Sequence, residues 1–418
     1  MKILHVVHGY PPSTGGVQWL VKNLSEQLVQ HHRDQVTVFT TVAYNMEYFW
    51  RSGERAMPVG TEETNGVMVR RFAVFNRLNT LRMLAANVAY RLRLPYNDWL
   101  RTIYSGPLIP GLTHAVARNG ADVALASAFP LLHMYDALAG TQRARIPIVL
   151  LGAIHTADVW GYDRKMIYQA IQQADAYIAL TTFERDYLIG RGIPPDKITV
   201  IGAGVDICAF AQADGAQVRD RYRWGTSPVV AAIAKQTERK RFDTLIQAMQ
   251  RVWAAQPDVR LLIAGAKTPY SHQLEQQIGS LTPEQQERVT VLSDFAEHEK
   301  PDLLTACDVF VLPSGYESFV IAFLEAWACK RPVIGVRMGA IPSVIDEEHD
   351  GLLVTYQDVE DLAQAILALL ADPQRRAQMG AAGHHKVLEN YTWEIVADRV
   401  RAVYVEAISR RARQRGLL

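Results

Sequence analysis

Short runs of valine, isoleucine and leucine alternate along the chain with longer segments whose apolar residues recur at helical spacing. Strands are predicted in the first half at residues 2–8, 35–41, 67–72, 122–127, 147–155, 176–181 and 198–204. In the second half they are predicted at residues 228–235, 259–265, 289–294, 309–314 and 332–336. This alternation is typical of parallel sheets covered by helices, so the sequence predicts an α/β fold.

Length and composition indicate two domains. A chain of 418 residues with 49% hydrophobic content is too long for one ordinary core, and two domains of roughly 200 residues are expected. The polar passage between residues 205 and 225 has no strand pattern and separates the two sets of predicted strands. We therefore predict one Rossmann-like domain over residues 1–205 and a second over residues 206–392.

Charge and cysteine content argue against several classes of protein. The 44 basic and 43 acidic residues leave a formal net charge of +1, so no overall field favours nucleic acid as a partner. Cys208, Cys307 and Cys329 lie far apart without a C-x-x-C pair, which argues against a disulfide framework or a zinc site. No uncharged apolar stretch reaches the roughly 18 residues of a membrane span. We therefore expect a soluble protein in the reducing cytoplasm.

The segment from residue 77 to residue 104 combines apolar, basic and aromatic residues. At helical spacing it carries Leu81, Leu84, Ala85, Val88 and Leu92, accompanied by Arg82, Arg91, Arg93, Arg101, Tyr90, Tyr96 and Trp99. A helix that packs its apolar face on the core and solvates its basic face is the interpretation we favour. The alternative is a peripheral contact with an anionic membrane, or with a lipid acceptor, at the inner membrane face.

Two glutamates eight positions apart, Glu317 and Glu325, lie in the stretch "GYESFVIAFLEAWACK". A strand and a turn precede them, so a helix is predicted over residues 319–329, with Glu317 just before it and Glu325 roughly 10 Å further along. The N–H groups of Ser318, Phe319 and Val320 lie between the two carboxylates. At a helix start such groups are free to attract an anion. Carboxylates also accept hydrogen bonds from the vicinal diols of a hexose or a ribose. The pattern suits a nucleotide sugar. The alternatives are that Glu317 merely stabilises the start of the helix and that Glu325 is an ordinary glutamate on the helix surface.

Lys235 and Lys240 form a second candidate cluster. They follow the predicted strand at 228–235, just ahead of a helix that begins near Phe242. Ligands of open α/β sheets bind beyond the carboxyl ends of strands, and two ammonium groups there can neutralise a diphosphate. A solvated basic turn is the alternative.

Two features of the first half complete the candidate chemistry. Gly15 and Gly16 follow the first strand and lead into a helix, where a ligand can approach the backbone closely. The pattern is not G-x-G-x-x-G, so a dinucleotide site is unsupported, and a plain glycine-rich connection is the alternative. His155 ends a predicted strand, where an ordinary hydrogen-bonded loop histidine is equally expected.

Together these features resemble the retaining glycosyltransferases of family 4. The resemblance covers nearly the whole chain and includes, in the family's order, "ADAYIALT", "VIGAGVD", "DVFVLPSGYESF", "EAWACKRPVIG" and "DGLLV". It implies the GT-B fold, in which two Rossmann-like domains face each other across a cleft. It also implies that a final helix, at about 393–418, packs back on the first domain.

The resemblance also implies residue roles. Lys240 matches a lysine on the donor diphosphate, and Lys235 falls where an arginine is usual, which keeps the charge but loses the two-pronged geometry. Glu317 matches a glutamate near the transferred sugar, and Glu325 matches one on the ribose hydroxyls. Gly16 would approach the phosphates and His155 would lie beside the hexose. Departures from the family pattern are found at Arg241 and Lys330, where glycine is usual, and at Ser343, where glutamate is common.

The implied reaction transfers a hexose from a nucleotide-diphosphate sugar to a hydroxyl of a glycan, a glycolipid or a small molecule, with retention of configuration. Cationic groups would stabilise the leaving diphosphate. The sequence contains no D-x-D triplet, so no cofactor and no divalent metal ion are expected. A non-catalytic subunit that binds nucleotide sugars or scaffolds a transferase complex is the alternative. A nicotinamide-dependent dehydrogenase is disfavoured because its glycine fingerprint is missing.

Overall fold

The computed structural model describes residues 1–13, 15–51, 53–293 and 295–414. The chain forms two compact units, and each is described by itself. Unit 1 comprises Met1–Ala203 together with Trp393–Leu418, and unit 2 comprises Gly204–Thr392. The boundary predicted after residue 205 lies two residues beyond the one observed.

Unit 1 is built around a sheet whose strands are β1 Lys2–Val7, β2 Gln35–Thr41, β3 Gly60–Thr64, β4 Val67–Phe72, β5 Val123–Ser127, β6 Ile148–Leu151, β7 Ala176–Ala179 and β8 Ile198–Val200. Its helices are α1 Gly16–Gln30, α2 Asn79–Arg91, α3 Asn97–Ser105, α4 Leu112–Ala117, α5 His133–Ala144, α6 Val159–Tyr162, α7 Lys165–Gln173 and α8 Thr182–Ile189. Helix α18, Trp393–Gln414, also belongs to this unit, and residues 415–418 of the predicted final helix lie outside the described residues.

The strands of unit 1 are ordered β3-β4-β2-β1-β5-β6-β7-β8. All neighbouring strands are parallel except β3, which runs antiparallel to β4. The central strand β5 is buried along its whole length, as expected for a strand covered on both faces, whereas β3 is exposed throughout. The polar sequence of β3, GTEET, suits an exposed edge strand and explains why hydrophobic patterning did not reveal it.

Helix α18 packs on α1 and is anchored to unit 1 by polar contacts. The hydroxyl of Tyr404 lies 3.0 Å from Nε2 of His5, a buried residue of β1. Burial lowers the pKa of His5 to about 3, so this imidazole is neutral at physiological pH. Nearby, the Arg401 guanidinium donates to the Asp34 carboxylate at 2.9 Å. These contacts fix α18 against β1 and against the residue that precedes β2.

Unit 2 contains β9 Val229–Ile233, β10 Arg260–Ala264, β11 Val289–Leu292, β12 Val309–Val311, β13 Val333–Val336 and β14 Gly351–Val354. Its helices are α9 Ile207–Ala211, α10 Gly215–Arg221, α11 Phe242–Ala255, α12 Ser271–Gly279, α13 Pro283–Gln286, α14 Lys300–Ala306, α15 Ile321–Ala328, α16 Val359–Ala371 and α17 Pro373–Asn390. The sheet order is β11-β10-β9-β12-β13-β14, and all neighbouring strands are parallel. The α/β prediction is therefore confirmed.

Most strand predictions are correct in position and too long at one or both ends. The strands predicted at 35–41 and 67–72 match the observed bounds, whereas the one predicted at 147–155 ends at Leu151. Two strands, β3 and β14, were not predicted. Asp294, the last residue of the strand predicted at 289–294, lies outside the described residues.

The interpretation we favoured for residues 77–104 is wrong. The segment forms two helices, α2 and α3, joined at Leu92–Tyr96, and the apolar side chains expected to pack on the core are exposed. Leu81, Leu84 and Leu92 are each about 60% or more exposed, and the buried residues of α2 are Ala86 and Ala89. Periodicity identified the apolar face but not the direction in which that face points.

Helix α15 ends in a left-handed turn. Lys330 has φ 55°, its N–H donates to the Trp327 carbonyl at 2.8 Å, and the N–H of Arg331 donates to the Ala326 carbonyl at 2.9 Å. This is the Schellman arrangement, in which glycine is preferred because it has no Cβ to strain. Arg241, with φ 55°, occupies a second left-handed position. Both departures from the family's glycines thus lie where the backbone favours glycine.

We predict that Lys330→Gly raises the stability of unit 2 by about 1 kcal/mol, or about 2–4 °C in Tm, because it relieves the left-handed strain. Lys330 is exposed, so little else should change. Lys330→Ala is the matched control, since it removes the side chain but keeps the Cβ. Calorimetric unfolding of both variants tests the prediction, and equal Tm values for the two would contradict it.

Candidate active site

The sheet of unit 2 reverses its order between β9 and β12. From β9 the chain proceeds outward to β10 and β11, and it then returns to the other side of β9 to form β12. Such a switch point leaves a crevice outside the carboxyl ends of the two strands, where open α/β sheets bind ligands. Lys235 and Lys240 follow β9, and Glu317 follows β12. Topology therefore brings both predicted clusters of unit 2 to the same point of the sheet.

The loop between β12 and α15 differs from the sequence prediction in one respect. The helix begins at Ile321, two residues later than predicted, so Ser318, Phe319 and Val320 precede it. Within the described part of the chain, none of their three N–H groups donates a hydrogen bond to another residue. The donors predicted for an anion are therefore unpaired, but they belong to a loop rather than to the helix start.

Glu317 and Lys240 form an ion pair that the sequence did not indicate. Lys240 Nζ lies 2.7 Å from Glu317 Oε1, and the two side chains are 16% and 7% exposed. Burial alone would raise the pKa of the Glu317 carboxyl, but the positive charges of Lys240 and Arg239 outweigh it and hold that pKa below its ordinary value. A charged carboxylate is thus maintained beside the unpaired N–H groups.

Glu325 has its own lysine partner, which sequence reasoning missed. Lys300, the first residue of α14, places Nζ 3.0 Å from Glu325 Oε1 and also contacts Glu297. Burial would lower the pKa of Lys300, but the two carboxylates outweigh it and raise that pKa. No local motif marks Lys300, because its role depends on α14 packing against α15. Glu325 Oε1 is engaged by Lys300, and no described residue hydrogen-bonds to Oε2.

Two basic residues near this site differ in what they contact. Lys235 is exposed, and among the described residues it has no carboxylate within ion-pair distance. Arg241, by contrast, pairs with Asp243 at 2.7 Å in the first turn of α11. Lys235 is therefore available to a ligand, whereas the Arg241 guanidinium is already used within unit 2.

Unit 1 places its predicted residues beyond the carboxyl ends of β1 and β6. Gly16 begins α1, and a Cβ at that position would meet open space, so the backbone is accessible there. Gly15 precedes the helix, and a Cβ on it would collide with the side chain of Gln18. His155 follows β6 and stacks edge-on against Tyr162, with ring centroids 5.4 Å apart.

Glu184 supports the backbone that carries His155, and it too was missed. The carboxylate is buried and accepts hydrogen bonds from the hydroxyl of Tyr177 at 2.6 Å and from the N–H of Ile154 at 3.1 Å. Burial raises the pKa of Glu184 despite these bonds. The motif Thr181-x-x-Glu184, typical of helix N-termini, was the available sequence signal.

Comparison with known proteins assigns the family. The profile of Glycosyltransferase Family 4 matches residues 14–208, and that of Glycosyl transferases group 1 matches residues 217–386. A GDP-mannose-dependent monoacylated alpha-(1-6)-phosphatidylinositol monomannoside mannosyltransferase of Corynebacterium glutamicum is 30% identical over 70% of this chain and 79% of its own length. The chain belongs to glycosyltransferase family 4.

Further relatives differ in how much of their length is matched. A GDP-mannose-dependent alpha-(1-6)-phosphatidylinositol monomannoside mannosyltransferase of Mycolicibacterium smegmatis is 27% identical over 94% of this chain and 95% of its own length. A D-inositol 3-phosphate glycosyltransferase of Stackebrandtia nassauensis is 32% identical over 58% of this chain, and the match spans only 57% of that protein.

Solved structures establish the fold. HepE from Anabaena, in complex with UDP and glucose, superposes with a TM-score of 0.73 at 19% identity, over 97% of this chain and 100% of HepE. Sucrose-phosphate synthase from Thermosynechococcus elongatus gives a TM-score of 0.70 at 19% identity, over 98% of this chain and 100% of the synthase. The predicted GT-B fold is confirmed.

One cluster outside these loops has the composition of a metal site. His31, His32 and Asp398 hold their candidate ligand atoms within 4.8 Å of one another on the surface of unit 1. His32 Nε2 lies 2.8 Å from the Asp398 carboxylate, so a polar contact between the turn after α1 and helix α18 also explains the group. It joins the turn after α1 to helix α18 and includes none of the residues that follow the carboxyl ends of the strands.

We predict that the Lys240–Glu317 pair is energetically coupled. Lys240→Met should destabilise unit 2 by about 2–4 kcal/mol, because it leaves a buried carboxylate unpaired, and adding Glu317→Gln should restore part of that loss. Unfolding of the two single variants and the double variant at pH 7 gives the coupling energy.

The same coupling should depend on pH. The pKa of Glu317 is depressed in the folded state, so the pairing is fully present above the pKa of an unfolded glutamate and is lost as pH falls through the folded pKa. Additive effects of the two substitutions at pH 7 would contradict the pairing.

Proposed function

We propose that this chain is a retaining glycosyltransferase that moves a hexose from a nucleotide-diphosphate sugar to an acceptor hydroxyl without a divalent metal ion. The acceptor is a glycan, a lipid-linked sugar or a small molecule. The observation that carries the proposal is the pairing of buried Glu317 with Lys240 at the switch point of the unit 2 sheet. The carboxylate and the cation adjoin three N–H groups that have no hydrogen-bond acceptor within the described ranges.

In the proposed donor site, different residues along the β12–α15 segment and the loop after β9 bind different parts of the nucleotide sugar. The diphosphate is held by Lys235, by Lys240 and by the N–H groups of residues 318–320. Glu317 accepts from hydroxyls of the hexose, and Glu325 accepts from the ribose with the carboxylate edge that Lys300 leaves free. A bound diphosphate would offer Lys240 a second anionic partner, which would loosen its hold on Glu317. The pairing with Lys240 holds the pKa of the Glu317 carboxyl below its ordinary value, so this side chain is an acceptor for sugar hydroxyls.

In the proposed reaction the bond between the sugar C1 and the phosphate oxygen breaks, and the acceptor oxygen attacks C1 from the same face. Positive charge develops on the ring and negative charge on the leaving diphosphate. Lys235 and Lys240 stabilise the leaving group electrostatically, and the leaving phosphate oxygen takes the acceptor proton. Lysines in this role and the missing D-x-D motif support independence from a metal ion. The proposed role of His155, beside the hexose, rests on the family resemblance alone.

Two of the relatives support a lipid-linked acceptor, whereas the D-inositol 3-phosphate glycosyltransferase is named for a small molecule. The two mannosyltransferases described above are named for acceptors that are phosphatidylinositol mannosides. None of the described helices is long and apolar enough to cross a bilayer. An enzyme of this kind would reach such an acceptor by a peripheral contact at the inner membrane face, and residues 77–104 are the proposed contact.

A non-catalytic subunit that binds nucleotide sugars is the second candidate. Its support consists of the departures from the family pattern at Lys235, Lys330 and Ser343. Lys330 lies at the end of α15 in a left-handed turn, so its departure concerns backbone strain rather than chemistry. Lys235 keeps its charge. The enzyme is therefore the better supported proposal.

Kinetics of two conservative variants test the enzyme. Incubation with labelled UDP-, GDP- and ADP-sugars should show slow donor hydrolysis, and proton NMR should detect first the anomer whose configuration matches the donor. Glu317→Gln should lower kcat by roughly 10²-fold, because charge develops near the sugar. Glu325→Gln should raise the donor KM roughly tenfold, because a ribose contact is the same in the ground and transition states.

Glu297→Gln is the matched control, since Glu297 shares Lys300 with Glu325 but is 60% exposed. It should leave both constants nearly unchanged. No turnover of any donor, combined with tight binding of a nucleotide sugar, would favour the non-catalytic subunit. An unchanged kcat in Glu317→Gln would contradict the assigned division of roles.

A further inference from the structure

Helices α2 and α3 and their connection expose an unusual run of large apolar side chains. Between residues 78 and 99 the side chains exposed by 37–72% are Leu78, Leu81, Met83, Leu84, Val88, Tyr90, Leu92, Leu94, Tyr96 and Trp99. We call this set the α2–α3 surface. Single exposed apolar residues are ordinary on soluble proteins, but ten of them on two helices in contact with each other and on their connection are a candidate interaction site.

The orientation of α2 is set by contacts on its other face. Ala86 and Ala89 are buried, and their small side chains allow α2 to pack closely on unit 1. Arg82 points inward, where its Nη2 donates to the Phe49 carbonyl at 3.1 Å and its Nη1 reaches the Ile103 carbonyl at 3.5 Å. Burial lowers the pKa of Arg82. Helix α2 therefore packs on the rest of unit 1 through alanines and an arginine and exposes its leucines to solvent. An ordinary amphipathic helix of a globular protein buries its leucines instead.

The exposed charges of the α2–α3 segment itself are basic. Arg77, Arg91 and Arg93 are exposed along it. The only acidic residue in the sequence from 64 to 121 is Asp98, and its carboxylate already pairs with Arg101 at 2.6 Å. Among the described residues none forms an ion pair with Arg77, Arg91 or Arg93, so the surface offers positive charge beside leucines and aromatic rings. This is the composition of helices that lie in the interface of anionic membranes.

We propose that the α2–α3 surface lies on an anionic lipid bilayer, with its leucines and aromatic rings among the headgroups and upper acyl chains and its arginines on lipid phosphates. The proposal rests on the proposed function in one respect, because it places the enzyme on the membrane that would hold a lipid-linked acceptor. Helix α2 has 13 residues and a length of about 20 Å, which suits a helix lying in the interface rather than spanning it.

A second copy of the chain fits this surface less well. In a symmetric dimer the same patch meets itself, which brings the exposed arginines Arg77, Arg91 and Arg93 of both copies into one interface. A bilayer containing acidic lipids supplies both apolar depth and negative charge. Charge complementarity therefore favours the membrane over self-association.

The test is co-sedimentation of the full chain with vesicles of phosphatidylcholine alone and with 30% phosphatidylglycerol. Wild-type protein should bind the acidic vesicles, and binding should weaken as salt screens the arginines. Leu84→Asn and Leu92→Asn should each reduce partitioning roughly tenfold, because each removes one inserted leucine. Arg91→Gln and Arg93→Gln should each reduce it roughly fivefold.

Matched controls come from unit 2. Leu388 is 43% exposed on α17, and Arg223 is exposed in the loop after α10. Leu388→Asn and Arg223→Gln should bind vesicles as the wild type does. Because the substituted leucines are exposed, Tm should be unchanged, which separates loss of docking from loss of folding. Light scattering gives the oligomeric state of each protein.

Three outcomes would overturn the proposal. The wild-type protein binds neither vesicle, or the Leu84→Asn and Leu92→Asn variants bind acidic vesicles as tightly as the wild type does. In the third outcome, the wild-type protein is a dimer and these substitutions convert it to monomers. Vesicle binding requires neither donor nor turnover. Failure of the glycosyltransferase assay with intact vesicle binding would therefore refute the proposed function alone, and the reverse result would refute the docking surface alone.

Discussion

The Glu317 carboxylate is 7% exposed, and a charge held so far from water requires a partner of opposite sign. Lys240 provides that partner at 2.7 Å. Because Lys240 follows β9 and Glu317 follows β12, the ion pair connects the ends of the two strands between which the sheet order reverses. It thereby holds the loop that carries the three unpaired N–H groups. The proposed donor site depends on this contact, since without it a carboxylate so placed would be protonated or expelled.

Sequence periodicity and topology rules predicted the architecture well. Continuous valine- and isoleucine-rich runs identified most of the parallel strands, because strands buried on both faces have little other composition. The same rules placed Lys235, Lys240 and Glu317 at strand ends. The lysine partners of Glu317 and Glu325 could not be predicted from the sequence. Lys240 is 77 residues away from the glutamate that it contacts, and Lys300 is 25 residues away. Such pairings follow from how helices pack, which no local pattern records.

The segment at 77–104 shows the limit of amphipathic patterning. Spacing reveals that one face of a helix is apolar, but the direction of that face depends on what the opposite face can contact. Here two alanines and an inward arginine provide those contacts, and the leucines are left outside. A helix that packs through small residues in this way leaves its large apolar side chains exposed. In unit 1, the packing contacts of α2 and its exposed leucines thus lie on opposite faces of the helix.

Amide hydrogen exchange with and without a nucleoside diphosphate tests the donor site most directly. With UDP, GDP or ADP at saturation, we expect slower exchange across residues 315–325 and 235–241, because the N–H groups of Ser318, Phe319 and Val320 acquire an acceptor. The rest of the unit 2 sheet should exchange as before. Saturable nucleotide binding that leaves both segments unprotected, or that protects only other parts of the chain, would contradict the account.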